Sequence, residues 1–162
     1  MSIGKPTPKD EQMIEQAIAI AQAAIDNGKA GVGAILLWQD EIVAKSHNMY
    51  EETGDITAHA EMVVLQKAAK RLDQMTNEDL AKLTLYTTLE PCLMCLSAIS
   101  FVGIKRVVYS PIATDANEEE LIAKGITAVE ISPLLTRGEI ELVPGVKREA
   151  GISLLAQMGK TK

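Results

Sequence analysis

His59, Glu61, Cys92 and Cys95 are the residues of this 162-residue chain whose types and spacing could do chemistry. Imidazole nitrogen and thiolate sulfur are donors that zinc favours, and a catalytic zinc keeps three protein ligands and a fourth place for water. His59, Cys92 and Cys95 supply three such donors. A closed structural site would need a fourth; there is no third cysteine, and His47 is the one other histidine. Two thiols separated by two residues could also form a redox pair. The His-x-Glu upstream and the proline at position 91 favour the metal.

Spacing supports this set. Cys92 and Cys95 stand three apart at the start of a predicted helix, with Pro91 as its first residue, so both thiols face one way. A helix N-terminus also favours the thiolate over the thiol. His59 and Glu61 open another predicted helix, and two helix N-termini side by side at one sheet end would gather all four side chains. Glu61, two residues beyond His59, is placed to accept a proton from a water on the metal and pass it on. Zinc lowers the pKa of such a water from 15.7 to about 7.

The elements that must hold these residues follow from periodicity. Residues 1–9 read as a loose tail and Asp10 as a helix N-cap. Met13, Ile14, Ala17, Ile18, Ala21, Ala24 and Ile25 mark one apolar helix face, closed by Asn27-Gly28. Residues 33–38 and 41–46 read as strands joined by a hairpin at Gln39-Asp40, and 47–57 as a loop. A helix over 58–72, a connection over 73–79, a strand over 83–89, a helix from Pro91 to about Gly103 and a strand over 106–109 follow. Residues 117–124 read as a short helix, 126–131 and 139–143 as strands, and 146–158 as the last helix. Strands alternating with helices predict a three-layer α/β/α sandwich, one domain over 1–162, and the early hairpin makes its mainly five-stranded sheet mixed.

A formal net charge of -6 and a sequence pI near 5.0 argue against a broad phosphate-binding face, so DNA is not an expected partner. The run Glu118-Glu119-Glu120 reads as a solvated helix start. No apolar run approaches the roughly 20 residues that span a bilayer, and no leader is visible at residues 1–5, so no membrane role and a cytoplasmic location are expected.

Thr57-Ala58-His59-Ala60-Glu61 followed by Thr88-Leu89-Glu90-Pro91-Cys92-Leu93-Met94-Cys95 resembles the zinc signature of the cytidine/deoxycytidylate deaminase superfamily. The resemblance extends over about residues 10–158, including Gly33-Ala34, His47-Asn48, Leu85-Tyr86-Thr87-Thr88 and Val107-Val108-Tyr109. It is similar to bacterial guanine deaminases, yeast-type cytosine deaminases and bacterial tRNA adenosine deaminases. The resemblance implies one Zn2+ per chain with a bound water, held by His59, Cys92 and Cys95, and Glu61 as the catalytic acid/base. It also implies substrate contacts from Asn48, the Ala60 backbone and Asp115, and a homodimer. The reaction would be hydrolytic attack at the carbon bearing the amino group, releasing ammonia. Guanine to xanthine ranks first, because Tyr109-Ser-Pro-Ile-Ala-Thr-Asp115-Ala116 looks like the guanine deaminase stretch. Cytosine to uracil, and adenosine to inosine in tRNA, are the alternatives; a non-catalytic zinc or redox module is the rival of a different class. The chain departs from its relatives at Gly31 and Val32, lacks aromatic residues after Tyr109, and carries an insertion over 131–138.

Overall fold

The computed structural model describes residues 3–117 and 121–158. Five strands form one sheet: β1 (Gly33–Trp38), β2 (Glu41–His47), β3 (Leu83–Thr87), β4 (Arg106–Tyr109) and β5 (Glu141–Val143), in the order β2-β1-β3-β4-β5. The hairpin makes β1 antiparallel to β2, and β1 is also antiparallel to β3, while β3, β4 and β5 run parallel. The expected mixed sheet is therefore present.

Side chains alternate across the pleat, and β1, β3, β4 and β5 bury both faces, while the edge strand β2 is mostly exposed or half-buried. Ala34, Leu36, Leu85, Val107 and Leu142 face one layer with α3 (Ala60–Asp73) and α5 (Leu93–Val102). Ile35, Leu37, Tyr86, Val108 and Val143 face the other, against Met13, Ile14 and Ala17 of α1 (Pro8–Asp26). The last helix, α7 (Arg148–Met158), packs beside α1. Gly33 allows α1 to approach the sheet, because a Cβ there would lie 2.3 Å from the Ala17 carbonyl oxygen.

Asp10 ties these layers together. Its carboxylate, 1% exposed, accepts from both Arg106 NH groups at 2.7 Å and from the Tyr86 hydroxyl at 2.9 Å. Burial would raise its pKa, but the Arg106 guanidinium, the Thr7 N–H and the Tyr86 hydroxyl together hold it down to about 2.

Several expectations change. The N-cap of α1 is Thr7, and Asp10 is the reciprocal partner of a capping box. The predicted loose tail is pinned in its described part: Ile3 bridges Leu142, and the Gly4 N–H donates to the Leu142 carbonyl at 2.8 Å. The loop and the connection contain short helices, α2 (Tyr50–Thr53) and α4 (Asn77–Ala81). Residues 121–124 of the predicted helix over 117–124 are not helical, and Glu118-Glu119-Glu120 lies outside the described residues. The strand predicted over 126–131 is instead α6 (Ala128–Ile131). There the β-branched residues suggest a strand, but Glu130 and Thr127 form a capping box, with the Thr127 N–H donating to Glu130 at 2.8 Å. No helix among the described residues is long and apolar enough to cross a membrane.

Candidate active site

The site lies beyond the carboxyl ends of β3 and β4, where open α/β sheets bind ligands. Two helices present their N-termini there. His59 is the N-cap of α3 and Cys92 the N-cap of α5, both with extended backbone, and neither side chain caps its own helix. Pro91 thus precedes the helix rather than opening it. Glu61 and Cys95 sit one turn or less inside the two helices.

This leaves the two capping side chains facing each other. His59 Nδ1 lies 3.6 Å from Cys92 Sγ and 3.5 Å from Cys95 Sγ. All three donor atoms lie within 4.8 Å of one another. Zinc bonds of ~2.3 Å to sulfur and ~2.0–2.1 Å to nitrogen at a tetrahedral angle would put nitrogen and sulfur about 3.6 Å apart, so the donor set fits the ion. A hydrogen bond from Cys95 holds the Cys92 thiol below its ordinary range against burial, with His59 adding to the effect. The Cys95 thiol is pushed up by Cys92 and by burial. The protein alone thus favours one thiolate, placed at a helix N-terminus.

Glu61 is 3% exposed. Its Oε1 accepts from the Thr87 hydroxyl at 3.0 Å, and Cys95 Sγ lies 3.6 Å from Oε2. Burial pushes its pKa up from the ordinary carboxylate value, the charge of Cys92 adds to this, and His59 and Thr87 oppose it. A buried carboxyl so placed beside the metal donors can hold and release a proton.

These groups open onto a cavity of about 260 Å³. Asn48, His59, Ala60, Glu61 and Cys92 line its polar end, and aliphatic side chains such as Val32, Leu96, Ile126 and Met158 line the rest. No Phe, Tyr or Trp is among its described lining residues. Asn48 Oδ1 accepts from the Val32 N–H at 3.2 Å, which leaves the amide's NH2 as its donating half for a ligand. Ala60 is the first residue of α3, where a helix N–H has no intrahelical partner.

Two candidates fall elsewhere. Asp115 does not line the cavity. Its carboxylate accepts from the Ile112 N–H at 3.0 Å and makes a two-pronged pair with Arg148 at 2.7 and 2.9 Å. It closes the 3₁₀ turn Ala113–Asp115. His47 is not part of the donor cluster: its Nδ1 sits 2.6 Å from the Asn48 carbonyl oxygen and its Nε2 3.9 Å from Glu52. Thr87, Glu90 and Met158 carry no role in the sequence pattern, although Glu90 lies within the zinc signature and Thr87 in the strand just before it.

The chain belongs to the cytidine and deoxycytidylate deaminase family, whose zinc-binding region matches residues 7–111. It is a zinc-type deaminase, with His59, Cys92 and Cys95 forming the metal site. Among its relatives, the tRNA-specific adenosine deaminase of Aquifex aeolicus is 40% identical over 100 residues, covering 62% of this chain and 64% of that protein. The tRNA-specific adenosine deaminase of Buchnera aphidicola is 33% identical over 132 residues, covering 82% of this chain and 85% of that protein. For the first of these, and for the Agrobacterium fabrum enzyme at 61%, the match spans less than two thirds of the relative's own length. A structure from work on A-to-I editing by tRNA:A34 deaminases superposes with a TM-score of 0.71 at 30% identity, covering 89% of this chain and 99% of that one. The guanine deaminase of Nitrosomonas europaea superposes with a TM-score of 0.78 at 22% identity, covering 98% and 87%, a likeness of fold alone.

Proposed function

We propose that the chain hydrolytically deaminates adenosine to inosine in tRNA. The observation that carries this reading is the similarity to tRNA-specific adenosine deaminases, at 33% identity over 82% of the chain. The free-guanine reading ranked first from the sequence leaned on Asp115, whose carboxylate is instead engaged by Arg148 and Ile112. The likeness to a guanine deaminase stands at 22% identity, a likeness of fold, so guanine and cytosine rank behind tRNA.

When bound to His59, Cys92 and Cys95, zinc supplies an activated water at neutral pH. Glu61 would take a proton from the attacking water and deliver it to N1 of the adenine ring. Attack of the water's oxygen on C6 would form the C–O bond; Glu61 would then take the remaining hydroxyl proton and pass it to N6, so that the C6–N6 bond breaks, ammonia leaves and C6 keeps that oxygen. Through its NH2, Asn48 donates to an acceptor on the nucleoside, and the Ala60 N–H is a second donor toward it. Aliphatic walls exclude bulk water, which strengthens these polar contacts. The same reading takes residues 1–162 as one domain and expects a homodimer. It also expects a cytoplasmic location, where thiols stay reduced for metal binding.

The test is ammonia and inosine release from an anticodon stem-loop RNA, beside free guanine, cytosine, adenine and their nucleosides. Turnover of the RNA adenosine supports the reading. Turnover of a free base with an inert RNA overturns it.

A further inference from the structure

Glu90 immediately precedes Pro91 and Cys92, so it belongs to the backbone stretch that carries a metal ligand. It is 8% exposed, and its two carboxylate oxygens go to two different places. Oε2 accepts from the Ala113 N–H at 2.6 Å, and Oε1 from the Ala128 N–H at 2.7 Å. Its own N–H donates to the Pro111 carbonyl at 3.0 Å. Ala113 and Ala128 bound the stretch that contributes Ala113, Ala116, Ile126 and Thr127 to the cavity wall.

We propose that Glu90 is a positioning residue that clasps both ends of this wall and so sets the shape of the cavity over the metal site. One carboxylate thus joins the two ends of this stretch, at Ala113 and Ala128. Its partners are both N–H donors, which requires a side chain with two acceptors and no donor. The short, charge-assisted bonds fit that demand. A role limited to capping α6 would explain the bond to Ala128 but not the one to Ala113, fifteen residues earlier. The clasp and Cys92 lie two residues apart, so wall and metal ligand are held in one frame.

The test compares zinc-loaded wild type with Glu90→Gln and Glu90→Ala, measuring zinc content, amide exchange at Ala113 and Ala128, and steady-state kinetics on the stem-loop RNA. The kinetic arm rests on the proposed function; the exchange arm does not. The Gln variant keeps one acceptor and turns an NH2 against the other amide, so exchange rises by about tenfold or more at one of the two positions, and at both in the Ala variant. Val108 in β4, exchanging through global unfolding, serves as the reference and separates a local release from general destabilisation. Both variants keep one zinc per chain, and KM rises by about tenfold while kcat falls less than about threefold. Unchanged exchange at both amides, or a kcat collapse with KM intact, overturns the proposal. If the Ala variant does not fold, the near-isosteric Gln variant decides alone. A wild type that deaminates nothing sinks the functional reading, while the exchange rates still decide the clasp.

Discussion

The hydroxyl of Thr87, last residue of β3, donates to Glu61 Oε1 at 3.0 Å, so the sheet aims the carboxyl beside the metal donors. Thr87→Val removes that donor without emptying the space. Hydrogen bonds to charged groups are worth about 1.5–3 kcal/mol, so kcat should fall by about 10–100-fold. Thr87→Ser should recover most of it, and metal analysis should find zinc unchanged in both. A Val variant with full kcat would mean that Glu61 is oriented by something else.

Glu61→Gln removes the proton carrier while keeping volume. A drop of about 10²–10⁴ in kcat is expected, the usual worth of a positioned acid/base. Zinc content should stay at one per chain, because Glu61 is not among the three donors. Retained turnover would remove Glu61 from the mechanism.

Metal removal is the next check. Chelation should abolish ammonia release and lower the melting temperature, since a ligand at a hundredfold excess over its Kd stabilises by about 2.7 kcal/mol. Cys92→Ala and His59→Ala should lose zinc by elemental analysis. A chelated chain with unaltered melting and activity would rule out the metal as a working part.

Asp10 sets an acid limit on stability. Its folded pKa is held down to about 2 against an ordinary 3.8, so the folded state binds fewer protons than the unfolded state in between. The contribution of Asp10 is full above about 4 and is lost as pH falls from 3.8 toward 2, at a cost of about 2 kcal/mol. Asp10→Asn should flatten the denaturant-midpoint profile across that window. An unaltered acid limb would show that the Arg106 pairing is not what depresses it.

Asp115→Ala distinguishes turn closure from substrate contact. Loss of a cap and a half-exposed ion pair should cost about 1 kcal/mol in thermal melts and shift KM less than about twofold. A KM increase of tenfold or more would restore Asp115 as a base contact and revive the guanine reading.

How much of this was legible in the sequence depends on the range of each signal. His59, Glu61, Cys92 and Cys95 were readable because each stands at fixed spacing at a helix start, where local geometry decides direction. The sheet was readable from short β-rich apolar runs such as Ala34-Ile35-Leu36-Leu37 and Val107-Val108-Tyr109. Helix α6 was misread because Ile126, Val129 and Ile131 suit a strand, although Thr127 and Glu130 carried the opposite, local signal. Glu90 was silent because its partners are backbone N–H groups 23 and 38 residues away, which leave no side-chain pattern to find. The pairing of Asp115 was hidden for a related reason: Arg148, its partner, lies 33 residues downstream.

Strand β3 buries Leu85 on one face and Tyr86 on the other, and ends in the residue that bonds Glu61. A slip of one position along β1 or β4 would exchange the two apolar layers, break the Tyr86–Asp10 bond and turn Thr87 away from the carboxyl. Misalignment that spoils the chemistry therefore also unfolds the interior, so a nearly correct but inert conformer has no stable place to exist.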